Sequence, residues 1–207
     1  MSADDWFRNK TWNDEIAALF EQRLKRSRKA DQHLRIQADA LAESYPQVAI
    51  ALLDRFFALP DPFAKVWGYC VRARALCALG RVDDAIDAYE AALREETSHP
   101  SVLSDAYIDL AELVVRTSRI ELYERAAQVL AMRSDRPAFP VQKFRYNAIR
   151  ALLCRYFGHH DDARFYARSA LEAASVLHSG FRYHAGLGLV GDKYADLLAQ
   201  LKNLTDA

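Results

Sequence analysis

Glycine and proline are both scarce in this chain, which has seven glycines and six prolines in 207 residues. An all-β protein needs many tight turns, and disordered chains are rich in such residues, so this composition argues against both classes. Hydrophobic residues make up 51% of the chain, and a chain of this length has enough of them to bury a substantial core. We therefore expect one compact, ordered domain.

An excess of charge of either sign is missing as well. The chain has 28 basic and 28 acidic residues, which gives a formal net charge of zero. Proteins dedicated to duplex DNA or to an anionic membrane usually carry a basic excess. The charge balance therefore argues against nucleic acid or a membrane as the main partner.

Long apolar runs are also absent. The most apolar stretch, residues 106–115, is interrupted by Asp109 and Glu112, so no membrane-spanning segment is predicted. The first residues carry acids where a secretory signal would carry Lys or Arg. The three cysteines, an odd number, lie inside apolar helical patterns and are expected to be reduced, buried thiols. Together these features predict a cytoplasmic protein.

Apolar residues instead recur with the period of an α-helix. Ala85, Tyr89 and Ala92 form one such stripe, and Asp83 and Asp84 supply the negative charge that favours a helix N-terminus. No segment shows the alternation of a strand, so we predict an all-α fold of about ten helices. The predicted helices span residues 12–29, 31–44, 46–58, 63–79, 82–96, 101–117, 119–133, 140–157, 160–177 and 192–203.

The chain also repeats itself. Pro60, Pro100 and Pro140 are 40 residues apart, which is typical of repeating helical hairpins. When the sequence is shifted by 78 residues, the segment 80–85 (GRVDDA) falls on 158–163 (GHHDDA). A glycine that ends one helix, followed by an Ala-rich helix, lets two helices pack closely as a hairpin.

This pattern resembles the tetratricopeptide repeat family, in which a small residue in helix A is followed by glycine, alanine, an aromatic residue and alanine at fixed spacing. The full match is Ala73, Gly80, Ala85, Tyr89 and Ala92. The partial copies are Ala111, Ser118, Tyr123, Ala127 and Leu130, and Ala151, Gly158, Ala163, Ala167 and Ala170. Ala167 replaces the aromatic residue, and the repeat offset exceeds the family's usual length of about 34 residues. The resemblance implies a right-handed superhelix of antiparallel helix hairpins.

Three regions follow from this assignment. Residues 1–30 are predicted to form an N-terminal capping helix, 31–178 the repeats, and 179–207 a Gly-rich connector with a C-terminal capping helix. Such caps cover the apolar faces that end repeats would expose. Trp6, Phe7 and Trp12 are expected to pack onto the first hairpin, with burial in a homo-oligomer as the alternative.

Two strings, at 139–145 and 178–184, also resemble segments of an uncharacterised bacterial family. This resemblance implies a bacterial source and brings no activity with it.

The resemblance to tetratricopeptide repeats also implies a ligand groove, because the A helices of that family line a concave binding face. The matching positions are Trp67, Arg74, Asp105, Glu112, Arg116, Arg145, Arg155 and Tyr156. Arginine beside aromatic residues suits carboxylates of a peptide. The acids and arginines could equally pair with each other, and the N-terminal helix could fill the groove. We predict a non-catalytic module that binds a peptide or protein segment and uses no cofactor.

A different class of function would use the Gly-rich segment near the C-terminus. Residues 186–191 fit the G-x-G-x-x-G pattern, but no preceding strand or βαβ unit accompanies it. A small-molecule or anion sensor, or an enzyme, would use Arg182, His184, Gly186 and Gly188, with Phe181 and Tyr183 beside them. A simple connector is the competing interpretation.

A third option is RNA association through the basic segment 23–29, although basic residues are also normal at a helix C-terminus. The His-His-Asp-Asp string at 159–162 has the wrong spacing for one metal ion, and helix capping explains its acids. Neither Cys154 with His159 nor Ser179 forms a recognisable catalytic pattern. We therefore predict no metal site and no catalytic residue.

Overall fold

The computed structural model describes residues 5–60, 64–179 and 182–206. Within these ranges the chain forms ten α-helices and two short 3₁₀ turns, with no strand. The α-helices are α1 (Asp14–Leu24), α2 (Ala30–Leu41), α3 (Pro46–Phe57), α4 (Lys65–Ala78), α5 (Val82–Ser98), α6 (Ala106–Arg116), α7 (Tyr123–Ala131), α8 (Pro140–Tyr156), α9 (His160–Ala174) and α10 (Ala195–Asp206). Every helix predicted from the apolar period has a counterpart, so the all-α class is confirmed. No helix of the described ranges is long and apolar enough to cross a membrane.

The helix predicted over 101–117 begins late, at Ala106. Ser104 explains this boundary because the buried Glu96 carboxylate accepts hydrogen bonds from its backbone N–H, at 2.8 Å, and from its hydroxyl, at 2.5 Å. The same hydroxyl oxygen accepts the N–H of Ala106 at 3.2 Å. A side-chain oxygen of this kind satisfies a backbone donor that has no partner within the helix.

The chain divides into two compact units, Met1–Ala106 and Tyr107–Ala207. In the first unit, α2 pairs with α3 and α4 with α5. Its core includes Phe20 of α1, Leu41 of α2 and Phe56 of α3. Trp6, Phe7 and Trp12 pack against this core, as the sequence predicted for the N-terminal aromatic residues.

In the second unit, α8 and α9 form a hairpin, and α10 packs on α9. The core between these three helices combines small and large side chains, with Ala151 and Ala170 beside Phe144, Tyr194 and Leu201. Small residues let the helix backbones approach closely, and the aromatic rings fill the remaining space.

The repeat is visible in the geometry of three helix-ending turns. Gly80, Ser118 and Gly158, which the sequence alignment equates, all have a left-handed backbone, with φ of 72°, 53° and 79°. At each turn the N–H of the following residue donates to the carbonyl five residues earlier in the preceding helix. These bonds are Arg81 to Leu76 (3.0 Å), Arg119 to Val114 (3.0 Å) and His159 to Cys154 (2.8 Å). Glycine adopts this conformation freely, whereas serine does so at a cost. The repeat that contains Ser118 therefore keeps the turn even though it lacks the glycine.

Candidate functional site

The predicted groove residues divide between the two units. Trp67, Arg74 and Asp105 belong to the first unit, and Glu112, Arg116, Arg145, Arg155 and Tyr156 belong to the second. Each set is described within its own unit.

The ring of Trp67, on α4, lies at the surface, but its indole N–H is hydrogen-bonded within the unit. Its indole N–H donates to the carbonyl of Leu103 at 3.1 Å. The guanidinium of Arg35, on α2, lies over the indole ring at 5.1 Å from the centroid. Burial lowers the pKa of Arg35, and Asp39 and Asp31 partly oppose that shift. The Trp67 ring is therefore already covered by a cation of its own unit.

Arg74, also on α4, forms an ion pair with Asp39 of α2. Both partners are partly exposed, with 38% and 47% of the side-chain surface accessible, so the pair itself adds little stability. It does mean that the guanidinium of Arg74 has a carboxylate within its own unit. Asp105 is half-buried at the start of α6.

Arg145 is the most enclosed of the predicted arginines, with a side chain that is 16% exposed. Its Nε donates to Glu112 at 2.5 Å and its Nη2 to Asp109 at 2.6 Å, both on α6. Burial alone lowers the pKa of Arg145, but the two carboxylates outweigh it and raise that pKa above the usual arginine value. Arg145 and Glu112 therefore join α8 to α6, and a ligand would have to compete with two carboxylates for this guanidinium.

Arg116, Arg155 and Tyr156 are the exposed groove residues of the second unit, whereas Glu112 and Arg145 are half-buried. Arg116 ends α6 and Tyr156 ends α8, each two residues before the left-handed residue of its turn, Ser118 or Gly158. Tyr156 is 51% exposed, and its ring meets that of Tyr123 edge-on at 4.8 Å. We call Arg116, Arg155 and Tyr156 the turn-end site.

The described part of the Gly-rich segment consists of turns, and Phe181 lies outside the described residues. Arg182 and His184 are exposed. Gly188 has a left-handed backbone, and a Cβ there would lie 2.7 Å from the Phe139 ring. Its carbonyl accepts the N–H of Val141 at 2.8 Å, so this glycine has a packing role at the start of α8. Gly186 has open space where a Cβ would be.

The other polar candidates are dispersed. His159 and His160 are exposed at the start of α9, and across the described ranges no three His, Cys, Asp or Glu side chains form a group that could hold a metal ion. Cys154 is a free thiol and half-buried, as are Cys70 and Cys77, so the three thiols are less buried than expected. Burial raises the pKa of the Cys154 thiol, which disfavours the nucleophilic thiolate.

The basic segment 23–29 covers the end of α1 and the turn that follows. Its five cations, Arg23, Lys25, Arg26, Arg28 and Lys29, are all exposed. Glu21 of the same helix binds Arg55 of α3, which ties α1 to the second helix of the first hairpin.

Sequence reasoning missed Arg35 and Asp39, because the first hairpin lacks the glycine on which the repeat alignment depended. The four-residue spacing of these opposite charges on one helix face was a signal that could have found them. It also missed the buried polar residues Gln37 and Glu96, which carry no local pattern.

No family model, curated protein or solved structure matches the chain.

Proposed function

We propose that this chain is a non-catalytic, tetratricopeptide-like interaction module whose turn-end site binds an acidic polypeptide segment. The observation that carries the proposal is that some of the predicted groove arginines have carboxylate partners and others do not. Arg74 and Arg145 have carboxylate partners within their own units. Arg116 and Arg155 are exposed and form no ion pair within the described residues.

The chemistry of the turn-end site suits carboxylates. Each guanidinium offers a planar fork of N–H donors that binds a carboxylate through two hydrogen bonds. Tyr156 adds an aromatic surface whose orientation is supported by Tyr123 behind it. Two arginines and an aromatic ring at helix ends therefore favour an acidic chain over a neutral or basic one.

The position of these residues supports the tetratricopeptide-like interpretation. In that family the A helices supply the ligand contacts, and α6 and α8 are the helices that match A helices here. The hydrogen bonds from Arg145 to Asp109 and Glu112 link α8 to α6. Arg116 and Tyr156 occupy the same repeat position on the two helices.

A displayed library of short random peptides tests the proposal even though no partner is identified. The wild-type chain is expected to enrich peptides rich in Asp and Glu. The Arg116→Glu/Arg155→Glu variant is expected to lose that enrichment, because acidic peptides would then meet like charge. Circular dichroism verifies that the variant keeps its helical content.

Arg168→Glu/Lys202→Glu is the matched control, because both residues are exposed on α9 and α10 and the charge change is the same. This control is expected to enrich the same acidic peptides as the wild type. The proposal is wrong if the wild type enriches no peptide, or if the two double variants lose enrichment equally.

A further inference from the structure

The first unit contains a half-open pocket of about 740 Å³ between its N-terminal segment and α1. Apolar side chains from both sides line it: Trp6 from the segment, and Ile16, Leu19 and Phe20 from α1. Leu19 is 51% exposed, although it sits on the helix that supplies Phe20 to the core. A pocket of this size and apolar character lies within the range of small-molecule sites.

Cations surround this apolar surface. Arg8, Lys10 and Arg23 also line the pocket, and all three are exposed. None of them forms an ion pair within the described residues, whereas Glu21 of α1 is paired with Arg55. Asp5 is the single acid among the lining residues. The formal charge around the pocket is therefore positive.

The wall that carries two of these cations is fixed in place. Asn9, which lies between Arg8 and Lys10, is bound to the fully buried Gln37 of α2 through its backbone and side chain. Trp6 packs on Phe20, with ring centroids 5.4 Å apart. Because the backbone N–H and carbonyl of Asn9 are both hydrogen-bonded to Gln37, the pocket is formed before any ligand binds. Little ordering of the chain is then needed on binding.

We propose that this pocket binds an amphipathic anion, namely a small molecule with an apolar chain or ring and a carboxylate head. The apolar body covers Trp6, Ile16 and Leu19, which removes apolar surface from water. The head lies among Arg8, Lys10 and Arg23, which donate charge-assisted hydrogen bonds. This site is independent of the turn-end site, which belongs to the second unit.

Dodecanoate is the probe, and isothermal titration calorimetry below its aggregation concentration is the measurement. Dodecanoate is expected to bind saturably with one molecule per chain. Dodecyltrimethylammonium, which has the same tail and a positive head, is expected to bind at least about tenfold more weakly. Asp5→Asn is expected to tighten dodecanoate binding, because it removes the one like charge.

Two triple variants separate the pocket from the general basic character of this region. Arg8→Ser/Lys10→Ser/Arg23→Ser is expected to weaken dodecanoate binding by about tenfold or more. Lys25→Ser/Arg26→Ser/Arg28→Ser removes the same charge from exposed residues that do not line the pocket, and it is expected to bind within about twofold of wild type. Leu19→Asp, at an exposed position, is expected to abolish binding without unfolding the chain.

Four results would overturn the proposal. They are the absence of saturable dodecanoate binding, equal binding of the two surfactants, equal weakening by the two triple variants, and unchanged binding by Leu19→Asp. Binding to phosphatidylglycerol vesicles in the absence of dodecanoate binding would also overturn it, since it would identify a membrane contact instead of a pocket.

Discussion

Asn9 and Gln37 lie 28 residues apart in sequence and hold each other through three hydrogen bonds. The side-chain oxygen Oε1 of Gln37 accepts the Asn9 backbone N–H at 3.1 Å and the Asn9 side-chain amide at 2.8 Å. The side-chain Nε2 of Gln37 donates to the Asn9 backbone carbonyl at 2.8 Å. Gln37 is 0% exposed, so its polar atoms depend on Asn9 for partners. The pair attaches the N-terminal segment to α2.

Replacing Gln37 with leucine tests this attachment. Gln37→Leu keeps a similar volume but leaves the Asn9 backbone without its partners. We expect the free energy of unfolding to fall by about 1–3 kcal/mol and amide exchange to accelerate in residues 6–10. Gln47→Leu, at an exposed position of α3, is the control and is expected to change neither. Unchanged exchange in Gln37→Leu would show that aromatic packing alone holds the segment.

His33 is expected to make the stability of the same region depend on pH. Its ring stacks on Phe7 at 4.3 Å and meets Trp6 at 4.7 Å, and its Nδ1 lies 2.8 Å from the Ser27 hydroxyl. Burial lowers the pKa of His33, with Asp31 opposing and Lys29 adding to the shift. A lowered folded-state pKa means that the unfolded chain binds the proton more readily, so the contribution of His33 is present above its usual pKa and is lost as the pH falls.

Urea denaturation at about pH 8 and about pH 5.5 measures this effect. The loss of stability on acidification is expected to be smaller in His33→Asn than in the wild type. His99→Asn, which changes an exposed histidine at the end of α5, is the control. An equal loss in His33→Asn and the wild type would contradict the assignment.

Arg145 is expected to contribute far more stability than a surface ion pair. Arg145→Met leaves the Asp109 and Glu112 carboxylates partly buried without their cation, and we expect a loss of about 2–4 kcal/mol. Arg164→Met breaks the exposed pair with Asp161 and is expected to cost less than about 0.5 kcal/mol. Arginine is charged throughout the neutral range, and the two carboxylates raise the pKa of Arg145 further, so this contribution is expected to be constant there. Similar losses in the two variants, measured by urea denaturation, would contradict the account.

Ser118 offers a stabilising substitution. Serine at φ 53° is strained, and glycine adopts this conformation without a Cβ clash. Ser118→Gly is therefore expected to raise the free energy of unfolding by about 0.5–1 kcal/mol. Ser169→Gly, in the interior of α9, is expected to lower it by a similar amount. A loss of stability in Ser118→Gly would argue against strain at this turn.

The helices and turns were predictable because they depend on local signals. The apolar period marks each helix, and the alignment of Ser118 with Gly80 and Gly158 anticipated a shared turn. Boundaries were less accurate where a distant side chain decides them, as Glu96 does for Ser104 and the start of α6. No local pattern announces such a contact.

The candidate sites were harder to predict for the same reason. The sequence identifies arginines on matching helix faces, but it does not say which of them already have a carboxylate. Arg145 finds its partners 33 and 36 residues away, and Arg74 finds Asp39 35 residues away. The pocket likewise depends on a contact between residues far apart in sequence, Asn9 and Gln37. Only the folded chain distinguishes occupied from accessible cations.

Photo-cross-linking at Tyr156 tests the proposed function most directly. A photoreactive amino acid replaces Tyr156 in the full chain, and covalent adducts formed in a lysate of the source cells are identified by mass spectrometry. The same replacement at Phe165, which is exposed on α9, is the control. We expect position 156 to label an acidic segment of a polypeptide partner, and the Arg116→Glu/Arg155→Glu change to abolish the adduct. No adduct above the level at position 165, or an adduct that survives the double change, would contradict the claim.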